Sequence, residues 1–310
     1  MSATAPHEPI QRVALIGFGE AGGILGHELA ARGLAVATYD ILFDSRDSRD
    51  AMLAKARRSN VRAAENLADA ARDAQLVVSA VTASSALDVA ADAARRLAAG
   101  QTFLDINSVS PRTKQRMAEH FAKSPARFVE VAVMAALPPQ RLRVPMLLGG
   151  PHAAELAPRL AAMGLNATVA SDRVGVASAV KMCRSVIIKG LEAIATESML
   201  AARRYGAEDA VLKSLAATFP EMGWHAKLPD YLISRVAEHG KRRAAEMREA
   251  AQALRDVGVD PLMAEAAAER QDALVREIAA QLRDELRFDD SFSWRELADA
   301  LEKSARAKKV

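Results

Sequence analysis

Residues 12–22 hold the feature that most constrains the fold, because they join an apolar strand to a helix through a glycine-rich turn. The segment reads RVALIGFGEAG, and Gly17, Gly19 and Gly22 have the spacing G-x-G-x-x-G. In such a turn the first glycine permits a tight bend, the second lets a ligand approach the backbone, and the third lets the helix pack against the strand. The free N–H groups at the start of the helix favour an anion. We therefore expect this turn to bind the pyrophosphate of a dinucleotide, through Gly17, Phe18, Gly19, Glu20, Ala21 and Gly22.

The same alternation of strand and helix continues along the first half of the chain. Short β-branched runs predict strands at 12–16, 34–39, 75–81, 101–106, 127–133, 144–150 and 166–170. Ala-rich segments between several of them predict helices at 20–32, 84–98, 111–122 and 152–163. Apolar strands that alternate with helices are typical of a sheet covered on both faces. We expect an α/β domain of the Rossmann type, with a mostly parallel sheet.

The pattern changes after Asp172, where no convincing strand remains. Helices are predicted at 174–204, 230–257, 261–284 and 294–306, with a turn at 288–294. Residues 1–172 are therefore predicted to form the dinucleotide-binding domain, and residues 173–310 an all-helical second domain. The aromatic segment 219–231 either walls a substrate pocket or packs as a connection between helices.

Composition excludes several classes of function. The chain has 310 residues, a net charge of +3 and a single cysteine, so it has neither an intramolecular disulfide nor a multi-cysteine zinc site. Its basic residues do not cluster with aromatic residues, and we expect no nucleic-acid partner. The N-terminus resembles no signal peptide, and no run approaches the roughly 18 apolar residues of a membrane span. A cytoplasmic protein without a membrane partner is expected.

Asp40 ends the second predicted strand, about 20 residues after the glycine turn, where an acidic residue contacts the adenosine ribose in such domains. Its carboxylate can accept hydrogen bonds from the ribose hydroxyls and would repel a 2′-phosphate. This favours NAD over NADP. Because Arg46 and Arg49 follow closely and can fold back onto a 2′-phosphate, NADP stays possible.

The loops after the later strands are expected to line the nicotinamide half of the site, since dinucleotides bind at the carboxyl ends of the strands. Val81 ends the strand at 75–81, and Thr82 begins the loop TASS at 82–85. The hydroxyls of that loop can bind phosphate or ribose oxygens, or only cap the next helix. Asn107 and Ser108 follow the strand at 101–106, where they can contact a ligand or serve as turn formers.

Three motifs together resemble the β-hydroxyacid dehydrogenase superfamily, which includes 3-hydroxyisobutyrate and 6-phosphogluconate dehydrogenases. They are GFGEAGG at the front, DINSVSP at 105–111 and VGVASAVKMCRS at 174–185, where Gly175 and Lys181 match a glycine and the lysine of the family pattern. The resemblance implies that Lys181 is the acid–base residue. It also implies a substrate near Asn107, Ser108, the loop at Met134 and the polar residues after Lys181, among them Arg184 and Ser185.

The chain also departs from that family pattern. Arg184 and Ser185 stand where relatives commonly carry asparagines, and VMAALPP at 133–139 replaces a glycine-rich substrate loop. The second lysine of the family has no clear counterpart, and the candidates for its place are His239, Lys241 and Arg242. With these departures the chain resembles a less-characterised bacterial branch of the superfamily.

The helix around Lys181 carries a predicted polar stripe of Lys181, Arg184, Ser185, Ile188 and Glu192. We expect this stripe to face the cleft between the domains. The neighbouring positive charge of Arg184 and partial burial should lower the pKa of Lys181. Cys183 is expected on the packing side, and Glu192 as the partner of Lys189.

Taken together, these patterns predict an NAD(P)-dependent oxidoreductase that transfers hydride between nicotinamide and a small β-hydroxy acid or its keto form. One alternative is a dinucleotide-binding sensor or scaffold without catalysis. Another is the reduction of a C=N bond, as in imine-reductase relatives, against which the lysine argues. A homodimer or homotetramer is expected, because Ala-rich helical domains often associate through their helices.

Overall fold

The apolar runs of the first half form one sheet of eight strands in the order β3-β2-β1-β4-β5-β6-β7-β8. The structure is a computed structural model that describes residues 9–280, 287–289 and 291–307. The strands are β1 Arg12–Ile16, β2 Ala35–Tyr39, β3 Arg62–Ala63, β4 Leu76–Ser79, β5 Thr102–Asp105, β6 Arg127–Val133, β7 Met146–Gly149 and β8 Ala167–Ser171. All neighbouring pairs are parallel except β6 with β7. The predicted, mostly parallel Rossmann-type sheet is confirmed, and the two-residue strand β3 is an addition to it.

Helices cover both faces of this sheet. They are α1 Glu20–Ala31, α2 Arg49–Arg58, α3 Leu67–Ala71, α4 Ala86–Arg96, α5 Pro111–Phe121, α6 Leu137–Gln140 and α7 Ala153–Ala162. Alternate residues of each strand point to opposite faces. Leu15 of β1 therefore joins the core cluster beneath α1, whereas Ile16 joins the cluster that contains Phe121 of α5.

The second half of the chain is helical in every element that the structure describes. Its helices are α8 Val176–Tyr205, α9 Glu208–Thr218, α10 Leu228–Arg255, α11 Leu262–Ala279 and α12 Trp294–Ala307. The predicted helical second domain is confirmed, although α9 was not foreseen and part of the predicted helix at 261–284 lies outside the described residues. No helix within the described ranges is long and apolar enough to cross a membrane. Of the aromatic segment at 219–231, residues 219–227 connect α9 to α10, and Trp224 among them is buried in the helical core.

The chain divides into two compact units, residues 1–181 and 182–310, so the first turns of α8 belong with the sheet. The boundary lies beyond the predicted position near 172 because a buried carboxylate on β6 binds the beginning of α8. Glu130 accepts hydrogen bonds from the backbone N–H groups of Gly175 (2.6 Å) and Ala177 (3.2 Å) and from the Ser178 hydroxyl (2.6 Å). Gly149 on the adjacent strand leaves the space for this carboxylate, since a Cβ there would lie 2.3 Å from Glu130 Oε1. Strand β6 thereby sets the position at which the helix of Lys181 begins.

The exposure of α8 corrects the predicted polar stripe. Cys183 is exposed, whereas Ser185, Lys189 and Glu192 are buried with Met182 on the face that packs in the second unit. The expectation that Cys183 packs in the core is therefore wrong. The two charged groups on the buried face, Lys189 and Glu192, are tolerated because charged groups of α10 pair with them.

A buried ion pair lies beneath the carboxyl ends of β5 and β6. Lys114 of α5 is 1% exposed, and its ammonium forms an ion pair with Asp105, whose side chain is 0% exposed. The ammonium also donates to the backbone oxygens of Asp105 (2.9 Å) and Val131 (3.3 Å). Each charge is thus compensated, and removing one partner would leave the other as a buried charge without its counter-charge.

We predict that Lys114→Met and Asp105→Asn each lower the free energy of unfolding by about 3 kcal/mol, because each leaves one buried group without its partner. The double variant should lose clearly less than the sum of the two single losses. Chemical denaturation measures all three values. The exposed pair Arg96–Asp92 provides the control, and Arg96→Met should leave the stability nearly unchanged. Strictly additive losses for the buried pair would contradict this account.

Candidate functional site

The three glycines between β1 and α1 occupy three different environments. Gly17 has φ +93°, and a Cβ on it would lie 2.3 Å from the carbonyl oxygen of Ala80 at the end of β4. A Cβ on Gly22 would lie 2.0 Å from the carbonyl oxygen of Gly17. Nothing lies within 4 Å of the corresponding position on Gly19. Two glycines therefore permit close packing, and the third faces open space, which is the arrangement that a pyrophosphate bound to the turn requires.

Asp40 lies against the same turn. One carboxylate oxygen accepts a hydrogen bond from the backbone N–H of Phe18 (2.6 Å), and the other accepts one from the N–H of Leu42 (2.9 Å). A carboxylate has about four lone-pair positions. The side chain is largely buried, but each oxygen keeps the capacity to accept from a ribose hydroxyl. Arg49, one of the two arginines considered for a 2′-phosphate, donates to the carbonyl oxygen of Phe43 (3.0 Å), and Arg46 is exposed.

Lys55 is a site residue that the sequence analysis missed. Its ammonium donates to the carbonyl oxygens of Phe18 and Gly19, each at 2.6 Å, and lies 5.1 Å from the centre of the Phe18 ring. Burial lowers the pKa of Lys55, and the Asp40 carboxylate acts in the opposite direction. Lys55 belongs to α2, which was not predicted, and no local pattern indicates that this helix reaches the turn.

The loop after β4 lies beside the glycine turn. A Cβ on Gly17 would lie 3.0 Å from Cγ1 of Val81, so the structure brings these two predicted residues together. The next residue, Thr82, is exposed, and its hydroxyl lies 3.0 Å from the hydroxyls of Ser84 and Ser85. Because the Ser85 side chain accepts no hydrogen bond from the backbone N–H groups at the start of α4, the capping interpretation of this loop is wrong for that residue.

Asn107 is held by the buried polar groups at the ends of β4 and β5. Its amide nitrogen donates to the Ser79 hydroxyl (2.9 Å) and to the Asp105 carboxylate (2.5 Å). Both N–H groups point into the protein, and the amide oxygen is the group left to accept from a ligand. Ser108 is half-buried, and Ser110, not Asn107, caps α5 by accepting from the N–H of Thr113.

Lys181 and Met134 complete the predicted residues of the first unit. Met134 follows β6 directly. Lys181 lies in the first turns of α8, and Glu130 of β6 binds the beginning of that helix. Both side chains are half-buried.

The predicted substrate residues of the second unit differ in their environments. Arg184 is exposed, and the hydroxyl of the buried Ser185 accepts a hydrogen bond from Lys189 (3.0 Å). His239 is half-buried, 3.3 Å from a carboxylate oxygen of Glu238, and burial lowers its pKa. The Ser185 hydroxyl therefore already binds the neighbouring Lys189 side chain.

Lys189 and Glu192 do not form the predicted ion pair with each other. Lys189 pairs with Glu246 (2.8 Å), and Glu192 pairs with Arg243 (3.0 Å), both on α10. Burial raises the pKa of Glu192 to about 7, against the opposing effect of Arg243. The prediction is wrong because α10 packs on this face and supplies a partner of opposite charge to each side chain.

Comparison with solved structures shows two close relatives. A conserved hypothetical protein from Sinorhizobium meliloti is 37% identical, with a TM-score of 0.81, over 95% of this chain and 96% of that one. A conserved protein of unknown function, described as structurally similar to 3-hydroxyacid dehydrogenases, is 30% identical, with a TM-score of 0.71, over 85% and 96% of the two chains. The 3-hydroxyisobutyrate dehydrogenase of Mycobacterium tuberculosis shares the fold at 13% identity, with a TM-score of 0.71, over 94% and 99%.

Family comparison agrees with the division of the chain. Residues 202–274 match a domain of unknown function, within the helical unit. Residues 12–171 match the NAD binding domain of 6-phosphogluconate dehydrogenase, which covers the whole sheet from β1 to β8. The chain therefore belongs to the family of proteins that carry this NAD binding domain, in a hypothetical-protein branch related to the 3-hydroxyisobutyrate and 6-phosphogluconate dehydrogenases.

Proposed function

We propose that the protein is an NAD(P)-dependent oxidoreductase that transfers hydride between nicotinamide and a small β-hydroxy acid or its keto form. The observation that carries the proposal is the open space at Gly19, at the start of α1 and beside Asp40. A bound nicotinamide supplies the hydride acceptor or donor. The protein supplies the binding groups and the acid–base residue.

The cofactor residues have separate roles in this proposal. The N–H groups of the turn at residues 17–22 bind the pyrophosphate, and Asp40 accepts from the adenosine ribose. NAD is the preferred cofactor, because a 2′-phosphate would approach the buried Asp40 carboxylate. Val81 and Thr82 line the path toward the nicotinamide half.

Asn107 serves the cofactor better than the substrate carboxylate. Its two N–H groups are bound by Ser79 and Asp105, which leaves an oxygen that attracts donors and repels anions. A ribose hydroxyl and the carboxamide N–H group of nicotinamide are donors of this kind.

Lys181 is proposed as the general acid–base group. Oxidation of an alcohol requires a base for the hydroxyl proton, and reduction of the keto form requires an acid at the same oxygen. Ser108, Met134, Arg184 and His239 are proposed substrate contacts. Ser185 is a weaker candidate, because its hydroxyl already accepts from Lys189.

We predict that Lys181→Met lowers the rate of NAD(P)H formation from a hydroxy-acid substrate by about 10²- to 10⁴-fold, the usual contribution of a general acid–base residue. The affinity for the dinucleotide should change by less than about threefold, because the pyrophosphate site lies on other residues. Absorbance at 340 nm across a hydroxy-acid library measures the rate, and quenching or enhancement of NADH fluorescence measures the affinity.

Lys123→Met is the matched control, since Lys123 is an exposed lysine of the same unit. It should leave both values unchanged. Full activity in Lys181→Met would refute the catalytic role of that lysine. A wild-type protein that binds NADH but turns over no hydroxy acid would favour the alternative of a non-catalytic sensor.

We also propose that the helical unit associates with a second copy of the chain. Ile187 and Ile194 of α8 are 70% and 54% exposed, and Met263 of α11 is 57% exposed. Ile194 and Met263 flank a groove of about 310 Å³ whose walls are mostly small residues, namely Gly190, Ala193, Ser198, Ala201, Ala266 and Ala267. Exposed apolar surface of this kind marks an interaction site. A two-fold axis would let each copy cover the same apolar surface, with its groove, on the partner.

We predict that Ile194→Asp converts the oligomer into a monomer, because it places a charge on the apolar wall of this groove. Sedimentation velocity or light scattering measures the mass in solution. Val257→Asp is the control, since Val257 is 74% exposed and lies outside the groove. An unchanged mass for Ile194→Asp, or a monomeric wild-type protein, would exclude this interface.

A further inference from the structure

The ammonium of Lys55 lies under the glycine turn and donates to two consecutive carbonyl oxygens, those of Phe18 and Gly19, at 2.6 Å each. We propose that Lys55 is a positioning residue for the cofactor pyrophosphate. It strengthens the binding of the pyrophosphate through the peptide groups of the turn. The inference rests on the proposed binding of a dinucleotide but not on the proposed reaction.

The two carbonyls belong to the peptide groups that carry the N–H of Gly19 and the N–H of Glu20. These N–H groups stand at the start of α1, which begins at Glu20 with Gly19 as its N-cap residue. A cation on the carbonyl side of a peptide group polarises it and makes its N–H a stronger donor. Lys55 therefore strengthens and aligns the N–H donors of Gly19 and Glu20, at the position where the turn leaves open space.

The position of Lys55 depends on the absence of a side chain at Gly23. A Cβ on Gly23 would lie 2.8 Å from both Cε and Nζ of Lys55. Gly23 is buried in the first turns of α1 and has no positive φ angle that would require glycine. The space that it leaves is the space that the ammonium occupies.

Asp40 and Lys55 bind the two backbone polar groups of Phe18, its N–H and its carbonyl oxygen. The carboxylate accepts from the N–H of Phe18 at 2.6 Å, and the ammonium donates to its carbonyl oxygen. Two of the three N–H groups of Lys55 are thus used by the turn. Its effect is directed at the pyrophosphate, which NAD and NADP share, and not at the 2′-phosphate, which distinguishes them.

Lys55→Met should weaken the binding of NAD, NADP and ADP-ribose by a similar factor of about tenfold, the loss expected when a charge-assisted hydrogen bond is removed. The ratio of the NADP and NAD affinities should stay unchanged, because both ligands share the pyrophosphate. Isothermal titration calorimetry measures the three affinities. Arg57→Met is the matched control, because it removes one exposed positive charge from the same helix and should leave them unchanged.

Gly23→Ala separates binding from stability. Alanine favours a helix over glycine, so the thermal midpoint should stay equal or rise, and the flexible end of Lys55 should be displaced. The affinity for all three ligands should nevertheless fall as in Lys55→Met. A role of Lys55 in folding alone would not produce weaker binding in a protein of undiminished stability.

Three results would overturn the inference while leaving dinucleotide binding intact. They are unchanged affinities in Lys55→Met, a loss confined to NADP, and unchanged affinities in Gly23→Ala. A wild-type protein that binds none of the three ligands would instead refute the proposed dinucleotide site itself, and the inference with it.

Discussion

The close approach of the turn at Gly17 to the end of β4 is the contact on which the proposed site depends. Any side chain at Gly17 would meet the carbonyl oxygen of Ala80 at 2.3 Å, so the backbone of β1 can bend toward α1 only because this position is glycine. The bend directs the start of α1 to the carboxyl edge of the sheet, where the loops after β4 and β5 also begin. The anion-binding groups and the polar residue Asn107 thus share one edge of the sheet.

Buried and half-buried charged side chains keep this edge in order. Asp40 and Lys55 hold the turn from two sides, Lys114 compensates the Asp105 carboxylate that orients Asn107, and Glu130 binds the beginning of α8. Each of these charges is satisfied by backbone groups or by an opposite charge, which is the condition under which a charge can be buried. The same groups that stabilise the first unit therefore also position the residues that would contact cofactor and substrate.

Local patterns predicted most of this fold, and tertiary contacts explain what they missed. The apolar strands and the glycine turn were predictable because their signals are periodic and local, as the confirmed strand Arg12–Ile16 illustrates. The role of Lys55 and the buried face of α8 were not predictable. The sequence of a polar helix such as α2 does not indicate which carbonyl oxygens its lysine will contact. Glu192 and Lys189 stand at the spacing of a helical ion pair, yet each pairs with α10 instead.

The central claim is that the turn between β1 and α1 binds a nicotinamide dinucleotide, and titration with NADH tests it most directly. The wild-type protein is expected to bind one NADH per chain with saturation, and a folded Gly17→Ala variant is expected to show no saturable binding. Absence of saturable binding to the wild-type protein, or equal binding by the folded variant, would contradict the account.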